Sequence, residues 1–514
     1  MNKNNPTLKD TFKTAYLNYR KGDIKTAEVL CYKILNINPN YLETKMLLAS
    51  ISAKKKNYIQ AKQLLNEAID IEPNNVTILN NLGTTCIELG EPKNAIGYYK
   101  KAIQIDPNNV NAHYNLGAIC YNLKQLKGAK SHLQKAIELQ PDFALPFLVL
   151  GNVCADLKEY ENAISNYQKA IAINYNLTGA HNNLGLVFRT LNDFKNAISC
   201  YEKAIEIKKD NAGAHHNLAQ ALKESGEFNK AIKSHEMAIK YEPENLIHYF
   251  YLSYLKEDIL DIDLKNKIEK IIRKNNTTNN NIAYGNYLLS KYEQKTKNYE
   301  KELNFLIKGH QFYFESRKTK FEILVKYNFN DMLQIANGVE VEKLGEKNKN
   351  KIKPIFIIGV PRCGSTLVEK IIGSGEMFVP MGEETSVLEE FVTTKIMEKK
   401  SLNLGKVSEI RNELFNKYKK RGLILDKSNN IFTDKSLNNF FFLKFIKEIY
   451  PNAKIINCKR DILSSIMSIF QNPLTELAWS HDLVNIFKYF DNYLRIIKNY
   501  NKTDLNFVYE LQFE

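Results

Sequence analysis

The sequence predicts two architectures in one chain: an all-α superhelical repeat solenoid, followed by an α/β domain of the P-loop type built on a parallel sheet. Three observations carry this reading. Columns of Ala and Leu recur every 34 residues across the first half of the chain. From Pro354 onward, short apolar runs alternate with helical stretches, the pattern of a parallel sheet with crossover helices. Between the apolar run 355–358 and a predicted helix from Thr366, a loop opens at Gly359 with the spacing Gly-x4-Gly-x-[Ser/Thr]. A glycine-rich loop between a buried strand and a helix N-terminus presents backbone N–H groups to an anion.

The repeats come first along the chain. Ala27, Ala61 and Ala95 open a series that runs to Ala231; Ala68 opens a second that ends at Ala238; Leu48 opens a third that ends at Leu252. Gly83, Gly117, Gly151 and Gly185 follow their leucines directly. Pro39, Pro73, Pro107, Pro141 and Pro243 close most units, with Tyr175 and Lys209 in that place in two others. Small residues let two helices cross closely, and Pro stops the second helix. Seven units result, spanning 8–245. The pattern resembles the tetratricopeptide repeat, a helix–turn–helix unit of this period. The resemblance implies a superhelix with an extended concave groove and no catalytic pocket of its own.

Two polar columns interrupt the apolar ones. Asn81, Asn115, Asn183 and Asn217 each precede the repeat Leu and are expected on the inner face of the first helix. A row of amides, each with donors and an acceptor, suits the backbone of an extended peptide, so a protein or peptide partner is expected in the groove. The competing reading makes Asn an ordinary residue of this column. His113, His181 and His215 share a column that the repeat usually fills with a bulky core side chain, and they read as packing residues.

Composition narrows the function classes. The 514 residues carry a formal charge of +15, with 72 Lys and Arg against 57 Asp and Glu. Basic and acidic residues interleave, so the excess reads as a solvated Lys-rich surface and not as a nucleic-acid groove, though it suits an anionic cosubstrate. The seven Cys are scattered. Cys86, Cys120 and Cys154 recur at the repeat spacing on apolar faces. Helices stacked about 8–10 Å apart cannot bring such thiols to the roughly 2.3 Å that zinc requires, so no metal is expected. Reduced thiols, a polar start and no apolar run of membrane-spanning length together predict a cytoplasmic protein without a transmembrane segment.

Residues 246–350 are expected to form a helical cap on the last repeat and a linker. Residues 246–272 and 284–314 read as one helix each, and the Asn/Lys/Glu-rich 342–353 as the linker. The α/β domain is expected over 352–514. Its predicted strands are 355–358, 377–379, 431–433, 454–458 and 507–510, with helices over 437–450 and 461–470. Ligands of such sheets bind beyond the carboxyl ends of the strands. That rule gathers Arg362, Glu383, Glu384, Lys435 and Arg460 on one edge.

The motifs on that edge resemble those of sulfotransferases. Gly-Val-Pro-Arg-Cys-Gly-Ser-Thr, from Gly359 to Thr366, is similar to their 5′-phosphosulfate loop; Ser365 stands where nucleotide kinases carry Lys. Gly-Glu-Glu-Thr at 382–385 is similar to the segment that carries the catalytic Glu of tyrosylprotein sulfotransferases, which implies Glu384. Thr-Asp-Lys at 433–435 is similar to the catalytic Lys segment, and the stretch 450–461 with Ser468 to the 3′-phosphate site. The resemblance implies 3′-phosphoadenosine 5′-phosphosulfate as cosubstrate. It also implies its phosphosulfate on Gly359, Pro361, Arg362, Cys363, Gly364, Ser365 and Thr366, and its 3′-phosphate on Arg460 and Ser468. Glu384 is then the general base and Lys435 the stabiliser of the leaving oxygen. The acceptor implied is a hydroxyl, a protein or peptide tyrosine, with carbohydrate and lipid hydroxyls open. Two departures stand out. Ser386 occupies the position where Arg commonly follows Gly-Glu-Glu-Thr, and the sequence stops at Glu514, where members continue with further helices. A shortened domain is therefore expected. The alternative function is a non-catalytic repeat scaffold carrying a relict sulfotransferase domain; a P-loop kinase is a third reading, disfavoured by Ser365.

Overall fold

The structure is a computed structural model that describes residues 7–342, 352–375, 379–382, 384–424, 431–503 and 508–512. It divides into two compact units, Met1–Pro243 and Glu244–Glu514.

Among the described residues, the first unit is a solenoid of fourteen helices in seven pairs, from Leu8–Lys21 with Ile24–Ile37 to Ala212–Glu224 with Phe228–Tyr241. Local chemistry sets the period. Asn75, Asn109 and Asn211 each cap a first helix by accepting the N–H of Ile78, Ala112 and Ala214. The turn inside every pair passes through a left-handed residue: Gly22, Lys56, Gly90, Lys124, Lys158, Asn192 and Gly226. The Ala columns lie where the helices cross, and Ala27, Ala95, Ala163 and Ala231 are fully buried. Close approach explains the Gly column. A Cβ on Gly83 would sit 2.5 Å from the Tyr99 ring, and one on Gly151 would sit 2.5 Å from Tyr167. The seven Cys are free and buried.

The second unit opens with helices. The single helix expected over 246–272 is instead Leu246–Leu252 and Ile262–Ile272, separated by a 3-10 turn at Glu257–Ile259. The break is set by Asp261, which caps the new helix by accepting from Leu264 N at 2.7 Å. The helix expected over 284–314 is likewise two, Asn279–Lys295 and Tyr299–Glu315. Lys297 turns left-handed, and Asn298 accepts from Lys301 N at 3.4 Å. Helices Lys318–Lys326 and Met332–Gly338 follow. Residues 343–351, in the expected linker, lie outside the described residues.

Among the described residues, six strands follow: β1 (Glu340–Glu342), β2 (Lys353–Gly359), β3 (Asn403–Lys406), β4 (Ile431–Asp434), β5 (Lys454–Lys459) and β6 (Val508–Gln512). β1 pairs with β3. The main sheet has the order β4-β2-β5-β6 and is parallel throughout. Gly359 lies opposite Cys458 and Phe356 opposite Asp434, so the carboxyl ends of β2, β4 and β5 share one edge. The short strand predicted at 377–379 falls on residues of which 377 and 378 lie outside the described residues. The helix predicted over 437–450 begins as a 3-10 turn, Leu437–Phe442, before Leu443–Ile449 becomes α-helical. Asn439 bonds back to the Asp434 carboxylate at 3.0 Å and tightens that first stretch.

The early helices of this unit pack on the sheet domain. Tyr327 OH donates to Glu389 Oε1 at 3.0 Å, and Gln471 Nε2 to Glu302 Oε1 at 2.9 Å. Among the described residues, no helix is long and apolar enough to cross a membrane.

Candidate active site

The site grows from the end of β2. Gly359 has φ +153°, and a Cβ there would lie 2.5 Å from Cys363 Sγ and 2.7 Å from the Cys458 carbonyl. Only glycine fits that position. The loop turns left-handed at Arg362 (φ 69°) and again at Gly364 (φ 91°), which delivers the chain to the helix Ser365–Gly373. Its backbone N–H groups and the positive end of the helix dipole therefore converge at one point.

Cys363 turns away from that point into the sheet and is fully buried. The bond from the Cys458 thiol, aided by the Ser365 N–H, lowers the Cys363 pKa. That same bond, then burial, raises the thiol of Cys458. Cys363 thus fixes the loop on β5.

β4 supplies the next group. Asp434 is buried and accepts from Tyr418 OH at 2.7 Å, from Ser436 OH at 2.6 Å and from Asn439 at 3.0 Å. This anchor holds Lys435, 7% exposed, with Nζ 3.1 Å from Thr366 Oγ1. The Gly-Glu-Glu-Thr segment runs along β4. Lys435 N donates to the Gly382 carbonyl at 2.9 Å. Gly382 N donates to Thr433 Oγ1 at 3.0 Å. A Cβ on Gly382 would lie 2.2 Å from the Thr433 carbonyl, so the approach requires glycine. Glu384, left-handed at φ 48°, is thereby aimed back at Lys435, with Oε1 3.7 Å from Nζ and Oε2 accepting from Leu437 N at 3.3 Å. Glu383 lies outside the described residues.

These groups surround a cavity of about 650 Å³. Gly359, Pro361, Arg362, Ser365 and Thr366 form one wall, Glu384 and Lys435 another, and the segment 473–477 the third. Gly364 contributes the turn and Cys363 the anchor. Arg460 follows β5, is exposed, and donates from Nη1 to the Arg362 carbonyl at 3.1 Å. Ser468 sits half-exposed in the helix Ile462–Gln471. Neither Arg460 nor Ser468 is among the described residues of the cavity wall. The wall at 473–477 went unread in the sequence; Pro473, directly after a helix end, was its one visible signal.

In the array, all four column Asn are half-buried. Asn183 donates to Asn152 at 2.8 Å and Asn217 to Asn182 at 2.9 Å, so these two amides link neighbouring first helices. The His column has a structural bond in common. His113, His181 and His215 place Nε2 3.0–3.1 Å from the carbonyls of Pro107, Tyr175 and Lys209, six residues upstream.

Residues 354–514 match the sulfotransferase family. Residues 42–75, 83–124, 110–143, 151–192, 185–226 and 214–247 match tetratricopeptide repeats. The chain is thus a fusion of tetratricopeptide repeats with a sulfotransferase-family domain. An uncharacterized protein of Aquifex aeolicus (strain VF5) is 26% identical over 253 residues, 45% of this chain and 32% of that protein. The chain therefore spans about a third of the length of the curated relative it matches. Among solved structures, a MamA protein is 30% identical over 33% of this chain and 93% of its own, with a TM-score of 0.30. PilF of Pseudomonas aeruginosa is 21% identical over 41% of this chain and 97% of its own, with a TM-score of 0.38.

Proposed function

We propose that this sulfotransferase moves the sulfuryl group of 3′-phosphoadenosine 5′-phosphosulfate to the hydroxyl of a protein or peptide tyrosine, with the repeat array recruiting the acceptor. The observation that carries the reading is the pairing of Glu384 with Lys435, 3.7 Å apart, on the wall facing the phosphate-type loop. A cavity of about 650 Å³ lies in the size range of nucleotide sites. A loop with two left-handed turns at a helix N-terminus fits a terminal phosphosulfate.

The cosubstrate supplies an activated sulfuryl group; the chain supplies position and charge. Arg362, Ser365, Thr366 and the loop N–H groups would hold the 5′ end. Arg460 and Ser468 would hold the 3′-phosphate and select this nucleotide over ATP. Glu384 would take the proton of the acceptor hydroxyl. Lys435, already bonded to Thr366, would neutralise charge on the leaving bridging oxygen. Asn81 and Asn115 are the column amides best suited to a peptide backbone, since Asn183 and Asn217 already donate to Asn152 and Asn182. Seven free thiols favour a reducing, cytoplasmic setting.

Titration of the full chain with 3′-phosphoadenosine 5′-phosphate and with ATP tests the reading. Tight binding of the first and much weaker binding of the second is expected. Absence of binding to the first would leave the repeat scaffold with a relict domain as the function.

A further inference from the structure

The third wall of the cavity, 473–477, is a loop whose two flanks are held by one imidazole from far upstream. His310, in the helix Tyr299–Glu315, is 1% exposed. Its Nε2 lies 2.7 Å from the carbonyl of Phe470, just before the loop. Its Nδ1 lies 2.9 Å from Nδ1 of His481, just after it. A carbonyl only accepts, so His310 Nε2 carries the proton. Nδ1 is then bare and accepts from His481 Nδ1–H, with Tyr287 OH 3.2 Å away as a second donor. Burial pushes the His310 pKa down to about 4 and that of His481 to about 3, so both rings are neutral.

Packing reinforces the grip. The His310 ring stacks on Phe470 at 4.2 Å, and His481 stacks on Tyr313 at 4.6 Å and Phe321 at 5.4 Å. Inside the loop, Ser480 OH donates to the Leu477 carbonyl at 2.8 Å, and Leu477 N to the Leu474 carbonyl at 2.9 Å. The helix that supplies His310 lies between the ranges matched to the two families, 214–247 and 354–514.

We propose that His310 and His481 are positioning residues, which hold the 473–477 wall against the reaction cavity and make the helices of 279–326 part of the catalytic unit. The proposal rests on the sulfotransferase reading of that cavity. Neither ring touches the predicted reacting groups; each acts through the loop.

The test uses the full chain with H481F, H481N and H310Q. Phe keeps the stacking of residue 481 and removes the donor, while His310 retains Tyr287 as a donor. Asn restores a donor near the Nδ1 position. Hydrogen exchange of the peptide 472–482 and affinity for 3′-phosphoadenosine 5′-phosphate are measured together. In H481F, the loop should exchange about tenfold faster and the nucleotide Kd rise about three- to tenfold, the weight of one neutral hydrogen bond. H481N should recover most of both. Unchanged loop exchange in H481F, or an increase spread evenly over the second unit, would overturn the proposal. If H481F does not fold, H310Q decides, because Gln keeps a donor for Phe470 and carries its acceptor, Oε1, away from the Nδ1 position that meets His481; loop exchange as in wild type would refute the idea. If the wild-type chain binds no nucleotide, the proposed function fails, while loop exchange still decides the role of the pair.

Discussion

Acid should destabilise the second unit through the His310–His481 pair before it disturbs the array. Both imidazoles are pushed below the ordinary 6.5, His310 to about 4 mainly by burial and His481 to about 3 by burial and then by the charge of His310. Arg317 adds to the depression of His481, the Leu474 carbonyl opposes it, and the facing Tyr287 and Tyr313 are neutral in this range. A folded pKa below the unfolded one means that, in the window beneath 6.5, the unfolded chain binds a proton that the native chain refuses. The contribution is fully present above 6.5 and is lost as pH falls toward about 4. For His310 alone that drop corresponds to roughly 3 kcal/mol, accumulating at no more than about 1.4 kcal/mol per pH unit. The chain has one tryptophan, Trp479, 1% exposed and stacked on Tyr489 at 3.9 Å. Its emission therefore follows the second unit alone. Urea unfolding read at Trp479 from pH 7.5 to 4.5 should show a steep loss of stability in the wild type. The H310Q/H481N double variant should be weaker at pH 7.5 but lose markedly less on acidification. Equal acid slopes in the two proteins would refute the assignment.

Replacing Glu384 by Gln should lower turnover by roughly 10²–10⁴ with little change in nucleotide affinity, and Glu383→Gln is the control; steady-state kinetics with the sulfate donor reads both. Arg460→Ala should weaken binding of 3′-phosphoadenosine 5′-phosphate by about 1.5–3 kcal/mol and hardly alter binding of a nucleotide without the 3′-phosphate, measured by calorimetry. Gly359→Ala drives a methyl to 2.5 Å from Cys363 Sγ and 2.7 Å from a backbone carbonyl. It should cost roughly 2–5 kcal/mol in the denaturation of the second unit and weaken nucleotide binding with it.

The solenoid was legible because its evidence repeats: a column such as Ala27 to Ala231 restates one crossing seven times. The loop at Gly359 was legible because strand, turn and helix are contiguous. The helices after residue 245 were misjudged where apolar and aromatic residues dominate, as from Leu246 to Tyr254, and the stop is set by a cap at Asp261 that competes with them. The wall at 473–477 and its brace were invisible for a different reason. His310 and His481 stand 171 residues apart, and neither belongs to a motif; only the fold makes them neighbours. A motif points to Glu384, but its approach to Lys435 depends on left-handed backbone at Glu384 and a near contact at Gly382. Such geometry carries no sequence period.

The glycine sockets of the array bear on how it can change length. Gly83 receives Tyr99, Gly117 receives Leu133, Gly151 receives Tyr167 and Gly185 receives Tyr201, each partner lying in the same unit as its glycine. Size matching is thus settled inside a unit and not across its border. A whole 34-residue unit can be copied, deleted or transplanted with its own lock and key, whereas moving the first helix of a unit that carries Ala in this column, Ala49 or Ala219, into one of these four would set a ring or Leu133 against a methyl group. Recombination of entire units is the route by which such an array can lengthen or shorten its reach while its interior stays packed.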